Sequence, residues 1–146
     1  MARHKQVTSA VLTPTGFDAA LQADEISMQS NAALDAADDS PVGDIVVKIT
    51  PSSAPAVDDP LAQVFVRETI GADEESVDAP ANAAGNFNKD ALLCTVLAIE
   101  ATTAERTYIY RNVPLPVAAF KIGVKALVAM GAAPSVSILP HSIDIP

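Results

Sequence analysis

The sequence predicts an all-β protein: an antiparallel β-sandwich, jelly-roll-like, with short terminal arms and little helix. Three observations carry that expectation. Seven or eight short apolar stretches, several strictly alternating, recur at fairly regular spacing along the 146 residues. Prolines, glycines and Asx-rich clusters punctuate them, with 11 prolines in the chain. A helical period surfaces in one short stretch only, and no repeat of 20–50 residues is evident. A chain of this length buries roughly 68–70% of its unfolded surface, so it can hold one core without metal or disulfide. The boundaries read from the sequence are an N-terminal arm over 1–16, a single β-sandwich domain over 17–140 and a C-terminal tail over 141–146.

Taken in order, "VTSAVL" in the arm has the composition of a first short strand. Thr15, Gly16, Phe17 and Asp18 resemble a capping box. Phe17, Ala20 and Leu21 then share one helical face, so "FDAALQAD" reads as a turn or two of helix. "EISMQSNAAL" alternates through Ile26 and Met28, and "DAADDSPVG" is loop by composition. "DIVVKIT" is a clear strand with Ile45, Val47 and Ile49 on one side and Val46 and Lys48 on the other. "PSSAPAVDDP" is an extended connection. In "LAQVFVRETI", Val64 and Val66 alternate with Gln63, Phe65 and Arg67, so both faces of that strand are expected to be partly covered.

Residues 71–90 are the longest polar stretch, and loops of that length are usually functional or mobile. "ALLCTVLAI" is a continuous apolar run and reads as a buried strand. After the turn "EATTAE", "RTYIYRNV" sets Tyr108 and Tyr110 against Thr107, Ile109 and Arg111. In "PLP", Pro114 and Pro116 cannot donate to a ladder, so pairing must stop there. "AFKIGVKALV" then resumes with Phe120, Ile122, Val124, Ala126 and Val128 inward and Lys121, Gly123 and Lys125 outward. Val136 and Ile138 mark a last short strand.

Charge and composition narrow the function. A net charge of −9 disfavours nucleic acid and anionic membrane surfaces and suits a basic partner. The N-terminus is positive but has no continuous apolar core segment, which is not the pattern of a secretory signal, and no run is long enough to span a bilayer. Synthesis in a cytoplasm is therefore expected. Cys94 is the only cysteine and lies in an apolar run, so it reads as a small buried hydrophobe.

A search for chemistry finds no nucleophile elbow, phosphate-binding loop, dinucleotide fingerprint or zinc-protease helix. His4 and His141 lie near opposite ends of the chain and far from Cys94. Asp73, Glu74, Glu75 and Asp78 crowd one stretch, with Asn86, Asn88 and Asp90 beyond it, and oxygen ligands of this kind can hold Ca²⁺. Lys89 interrupts that set and no motif fixes its geometry, so turn formation is the better reading. The chain has no Trp, and packing is the better use of its two tyrosines. The sequence thus names no catalytic residue, no metal site and no cofactor, and the expectation is a protein that is not an enzyme.

The stretch "ERTYIYRNVPLPVAAFKIGVKAL" resembles the C-terminal signature of small structural proteins of tailed phages, at Arg111, Val113, Pro114, Leu115, Pro116, Phe120 and Lys121. "GFDAALQADEISMQSNAALDAAD" and "DIVVKIT" are similar to the N-terminal half of that family, whereas the acidic stretch 71–90 departs from it. The resemblance implies a bacteriophage virion protein, most plainly a capsid decoration (cement) protein. Such a protein sits on the capsid exterior, often as a trimer, and ties neighbouring copies of the major capsid protein together. The contact residues expected on this basis are Arg3, His4 and Lys5 in the arm, with Lys121 and Lys125 as a basic outer edge. Other virion roles fit the same features, namely tail tube, head–tail connector or head-fibre base. A carbohydrate-binding β-sandwich module is the reading from a different class.

Overall fold

The alternation along Phe120–Ala126 turns the apolar side of that strand to a second sheet, and pairing on both of its flanks sets it in the middle of its own. The computed structural model describes residues 5–8, 11–17, 19–30, 34–35, 42–70, 73–74, 83–84, 90–116 and 119–144. Its strands are β1 (Lys5–Thr8), β2 (Glu25–Met28), β3 (Val42–Ile49), β4 (Pro60–Ile70), β5 (Asp73–Glu74), β6 (Ala83–Ala84), β7 (Ala91–Leu97), β8 (Arg106–Pro114), β9 (Phe120–Ala126) and β10 (Ser135–Asp144). They form two antiparallel sheets. Sheet A has the order β1-β10-β3-β8; sheet B runs β5-β4-β9-β2-β6, with β7 also paired to β4.

The core lies between the sheets. Ile45, Val47 and Ile49 of β3, with Val136 and Ile138 of β10, face Phe120, Ile122, Val124 and Ala126 of β9 and Val64 and Val66 of β4. The period of two in the sequence is what delivers these side chains to one face. Three local irregularities adjust the fit. The β4–β7 ladder slips between Pro60 and Ala62, and Leu61 and Ala62 are both fully buried there. A second slip between Val64 and Phe65 leaves Leu93 as the extra residue of β7. In sheet A, Arg111 and Asn112 together oppose Asp44, and Asn112 takes a φ of 55°. Each is a β-bulge, which bends and twists its strand locally.

The Pro-x-Pro corner has a packing role. Pairing of β8 ends at Pro114, opposite Val42, and Leu115 turns into the core. The space for it comes from Gly43: a Cβ there would lie 2.9 Å from Leu115 Cδ1 and 3.1 Å from Ile138 Cγ2. Gly16 has a different requirement. It holds a φ of 102° and passes so close to Ser30 that a Cβ would lie 2.8 Å from its backbone nitrogen.

Four expectations need correction. No helix occurs among the described residues, so the turn or two expected in "FDAALQAD" is absent there. Leu21 is instead drawn into the core, where its carbonyl accepts from Met130 N–H at 2.8 Å, and the chain turns at Ala23–Asp24 with Asp24 at φ 68°. Tertiary pairing has overridden a local helical period. Secondly, "ALLCTVLAI" is not buried throughout. Cys94 and Val96 face the core, but among the described residues β7 pairs only with β4, and Leu92, Leu97 and Ile99 are exposed. Thirdly, Lys121 and Lys125 do not form an outer edge. They are half-buried on β9, which has β4 on one side and β2 on the other. Fourthly, the stretches read as arm and tail meet each other: Lys5–Thr8 pairs with His141–Asp144 as the outer ladder of sheet A.

Tight packing in the core fixes two substitution outcomes. Ile122→Ala, at a fully buried position, is expected to cost on the order of 2–5 kcal/mol in denaturant unfolding. Gly43→Val should cost about 1–3 kcal/mol by displacing Leu115. A loss below about 0.5 kcal/mol for either would contradict the packing described.

Candidate functional site

Two places concentrate features beyond core packing: a polar cluster on the outward side of sheet A and an apolar seam between the sheets' open edges. The polar cluster centres on Asp44. Because Ile45 points inward, Asp44 points outward, and the bulge of β8 brings Arg111 and Asn112 to it. Asp44 Oδ1 accepts from the Asn112 amide at 3.1 Å and lies 3.1 Å from His141 Nε2; Asp44 Oδ2 accepts from Arg111 Nη1 at 3.0 Å. Burial alone would raise the Asp44 pKa. The hydrogen bonds from His141 and the Asn112 amide, with the nearby charges of His141 and Arg111, outweigh it and hold the carboxyl below its ordinary value.

The His141 side chain is only 1% exposed, and its Nδ1 has no hydrogen-bond partner among the described residues. An Asp–His pair of this kind serves nucleophilic catalysis when a hydroxyl or thiol lies against the second ring nitrogen. None is bonded to His141 among the described residues. Cys94 faces the inter-sheet core, away from the outward side of sheet A where His141 lies, and burial pushes its thiol up to about 11. The cluster is a brace that joins β3, β8 and β10. The Arg111 arm is largely solvated and contributes little, so the buried His141 contact and the part-buried bond from the Asn112 amide matter more.

A second brace closes the base of residues 68–89. Arg67 and Asp90 form a two-pronged pair, Nε to Oδ1 at 2.9 Å and Nη2 to Oδ2 at 3.0 Å, and both side chains are buried. Asp90 is thereby spoken for. Asp73 and Glu74 form β5, while Glu75, Asp78, Asn86 and Asn88 lie outside the described residues. Among the described residues, no group of three His, Cys, Asp or Glu side chains could hold a metal ion.

The three described residues among the five basic ones expected to make a contact are not brought to one place. Arg3 and His4 lie outside the described residues, and Lys5 begins β1 in sheet A. Lys121 and Lys125 belong to the middle of sheet B, opposite Arg67 and Gln63 of β4.

The apolar seam is the feature that the sequence reading missed. Among the described residues β8 pairs only with β3, and β7 only with β4, so each sheet has an open edge there. The two edges lie side by side in opposite directions. One hollow of about 330 Å³ lies where Leu92 and Leu93 meet Val113–Pro116, with Glu68 at its side. Another of about 340 Å³ lies where Leu97 and Ile99 meet Thr107–Tyr110. The Tyr110 hydroxyl spans the seam and donates to the Thr95 carbonyl at 3.1 Å. Leu92, Leu97, Ile99 and Ile109 are 44–61% exposed and all lie along this seam. One signal was present in the sequence: with Tyr108 and Tyr110 turned inward, Ile109 had to face out.

Compared with family models, curated proteins and solved structures, the chain matches none.

The polar cluster predicts a pH effect. The depressed Asp44 pKa adds stability that is complete above the unfolded value near 3.8 and is lost as pH falls through the folded value. Asp44→Asn should therefore cost about 1–3 kcal/mol at pH 7. The gap from the unaltered protein should narrow as pH drops below the ordinary aspartate range. Urea titrations at several pH values check this, and a gap independent of pH would contradict it.

Proposed function

We propose that this chain is a non-enzymatic structural protein that fastens to another protein surface, and specifically a capsid decoration (cement) protein of a tailed-phage head. The observation that carries the reading is the seam. Large exposed apolar residues gather along one side of a braced two-sheet body, and contiguous apolar surface of that kind marks a contact site. Four of the residues that carry the family resemblance, Val113, Pro114, Leu115 and Pro116, line one end of the same seam.

The proposed partner is the major capsid protein, the proposed location is the capsid exterior, and the proposed assembly is a homo-oligomer, a trimer by the family resemblance. Many copies on a lattice gain from multivalency, so no single contact needs to be strong. An acidic body of net charge −9 suits a basic surface on the shell. A sugar-binding module is less well supported, because Tyr108 is buried and Tyr110 half-buried, which leaves no aromatic platform among the described residues.

Phage heads assembled without the protein provide the test. They should form, yet rupture at a lower temperature than decorated heads, and added purified protein should restore the difference. Equal rupture temperatures with and without bound protein would contradict cementing.

A further inference from the structure

The seam can be read one step further, from where to what. This step rests on the contact-protein reading and names the chemistry of its partner. Open sheet edges invite another strand, and proteins usually blunt them with charge, proline or a bulge. Here the far half of β8 is blunted by the bulge at Arg111–Asn112 and by Pro114. The near half, Arg106–Tyr110, has no such device. Its one charged residue, Arg106, is turned to Glu100 at 2.8 Å. The β7 edge is partly engaged, since the Thr95 carbonyl already accepts from Tyr110. Among the described residues the unprotected edge is therefore that of β8, and the exposed side chain at its middle is Ile109, 50% exposed.

The surroundings specify the occupant. Asp58 and Asp59 are hydrogen-bonded through their backbones to Ala98, between Leu97 and Ile99. Glu105 stands at the start of β8 and Glu68 at the far hollow, and all four of these carboxylate residues are exposed. Of the nearby described cations, Arg106 is engaged with Glu100 and Arg111 with Asp44, and the exposed Lys48 lies one strand further in, opposite Thr107. The rim of the apolar seam is thus negative. A second copy of a chain carrying −9 would bring carboxylates towards carboxylates.

We infer that the seam receives an extended segment of a partner protein, apolar at alternate positions and flanked by Lys or Arg, which adds to β8 as a fifth strand of sheet A. Backbone hydrogen bonds to the Arg106–Tyr110 edge give affinity, and the alternation gives specificity. Inward side chains of the segment enter the hollow between Tyr108 and Leu97; outward ones lie against Ile109; the flanking cations meet Glu105 and Asp58. The stretch from Leu92 to Ile99 is about 20 Å long, so a segment of about seven to nine residues spans both hollows.

The test uses the full chain, isotope-labelled, titrated with the synthetic peptide KKVTVTVKK and its counterpart EEVTVTVEE. The basic peptide should shift amide signals of Arg106–Tyr110 foremost, and the acidic peptide should bind at least about tenfold more weakly. Ile109→Lys and Leu97→Lys, both at exposed positions, should keep the melting temperature and weaken the basic peptide by about tenfold or more. No shifts at about 1 mM peptide, equal binding of both peptides, or shifts centred on another surface would overturn the inference. So would a dimer in sedimentation that Ile109→Lys abolishes, because that places a second copy on the seam. Peptide binding on β8 by a protein that does not attach to phage heads would uphold this inference and remove the capsid reading. Attachment to heads that Ile109→Lys leaves unchanged would overturn this inference and leave the capsid reading in place.

Discussion

Two sheets that each have one apolar face must bury those faces against each other, and the rest of this structure follows from that requirement. The four inward residues of β9 and the three of β3 are completely buried, and they meet without any helix among the described residues to cover them. Such packing leaves the fit between the layers to small local devices. Bulges in β4 and β7 adjust side chains at the core margin. Gly43 yields space for Leu115, so that the Pro-x-Pro corner ends one strand and closes the core at the same point. The Gln29 side chain accepts from the Ile122 amide at 2.8 Å, while its own backbone N–H donates to the Ile122 carbonyl at 2.9 Å, which extends the β2 side of β9 past the ladder.

The same requirement explains why the polar groups lie where they do. The inter-sheet space accepts few of them, so Asp44, His141 and Arg67 are held on outward sides and tied to specific partners. Removing one partner from a buried pair leaves an uncompensated polar group, which is why Asp90 beneath Arg67 matters more to the fold than the exposed Glu100 beside Arg106. These braces stiffen the sheet body, and beside them lies the seam where the edges of β7 and β8 are adjacent and unpaired among the described residues. Its exposed isoleucines and leucines have no role in the core. Their exposure has a physical account if a partner covers them.

Much of the architecture was legible in the chain. Strict alternation in "DIVVKIT" and "FKIGVKA" gave both strands and the side each residue faces. Proline positions gave the end of β8. The misses have identifiable causes. "FDAALQAD" has helical spacing, but Leu21 is held by a bond to Met130, a partner 109 positions away that no local pattern announces. "ALLCTVLAI" is apolar throughout, and an apolar run cannot tell which flank will have a neighbour. Asp44 and His141 are 97 positions apart and meet only because β10 pairs with β3. Lys121 and Lys125 alternate like edge residues, yet the order of strands, which the sequence does not state, puts them mid-sheet.

The proposed working surface is the open edge of β8 with its flanking β7. Hydrogen–deuterium exchange of the backbone amides, compared between free protein and protein bound to phage heads, tests it most directly. The account predicts slowed exchange concentrated in Arg106–Tyr110, with a smaller effect in Ala91–Leu97, and little change in β1 and β10. Protection confined to β1 and β10, with β8 exchanging as it does in the free protein, would contradict it.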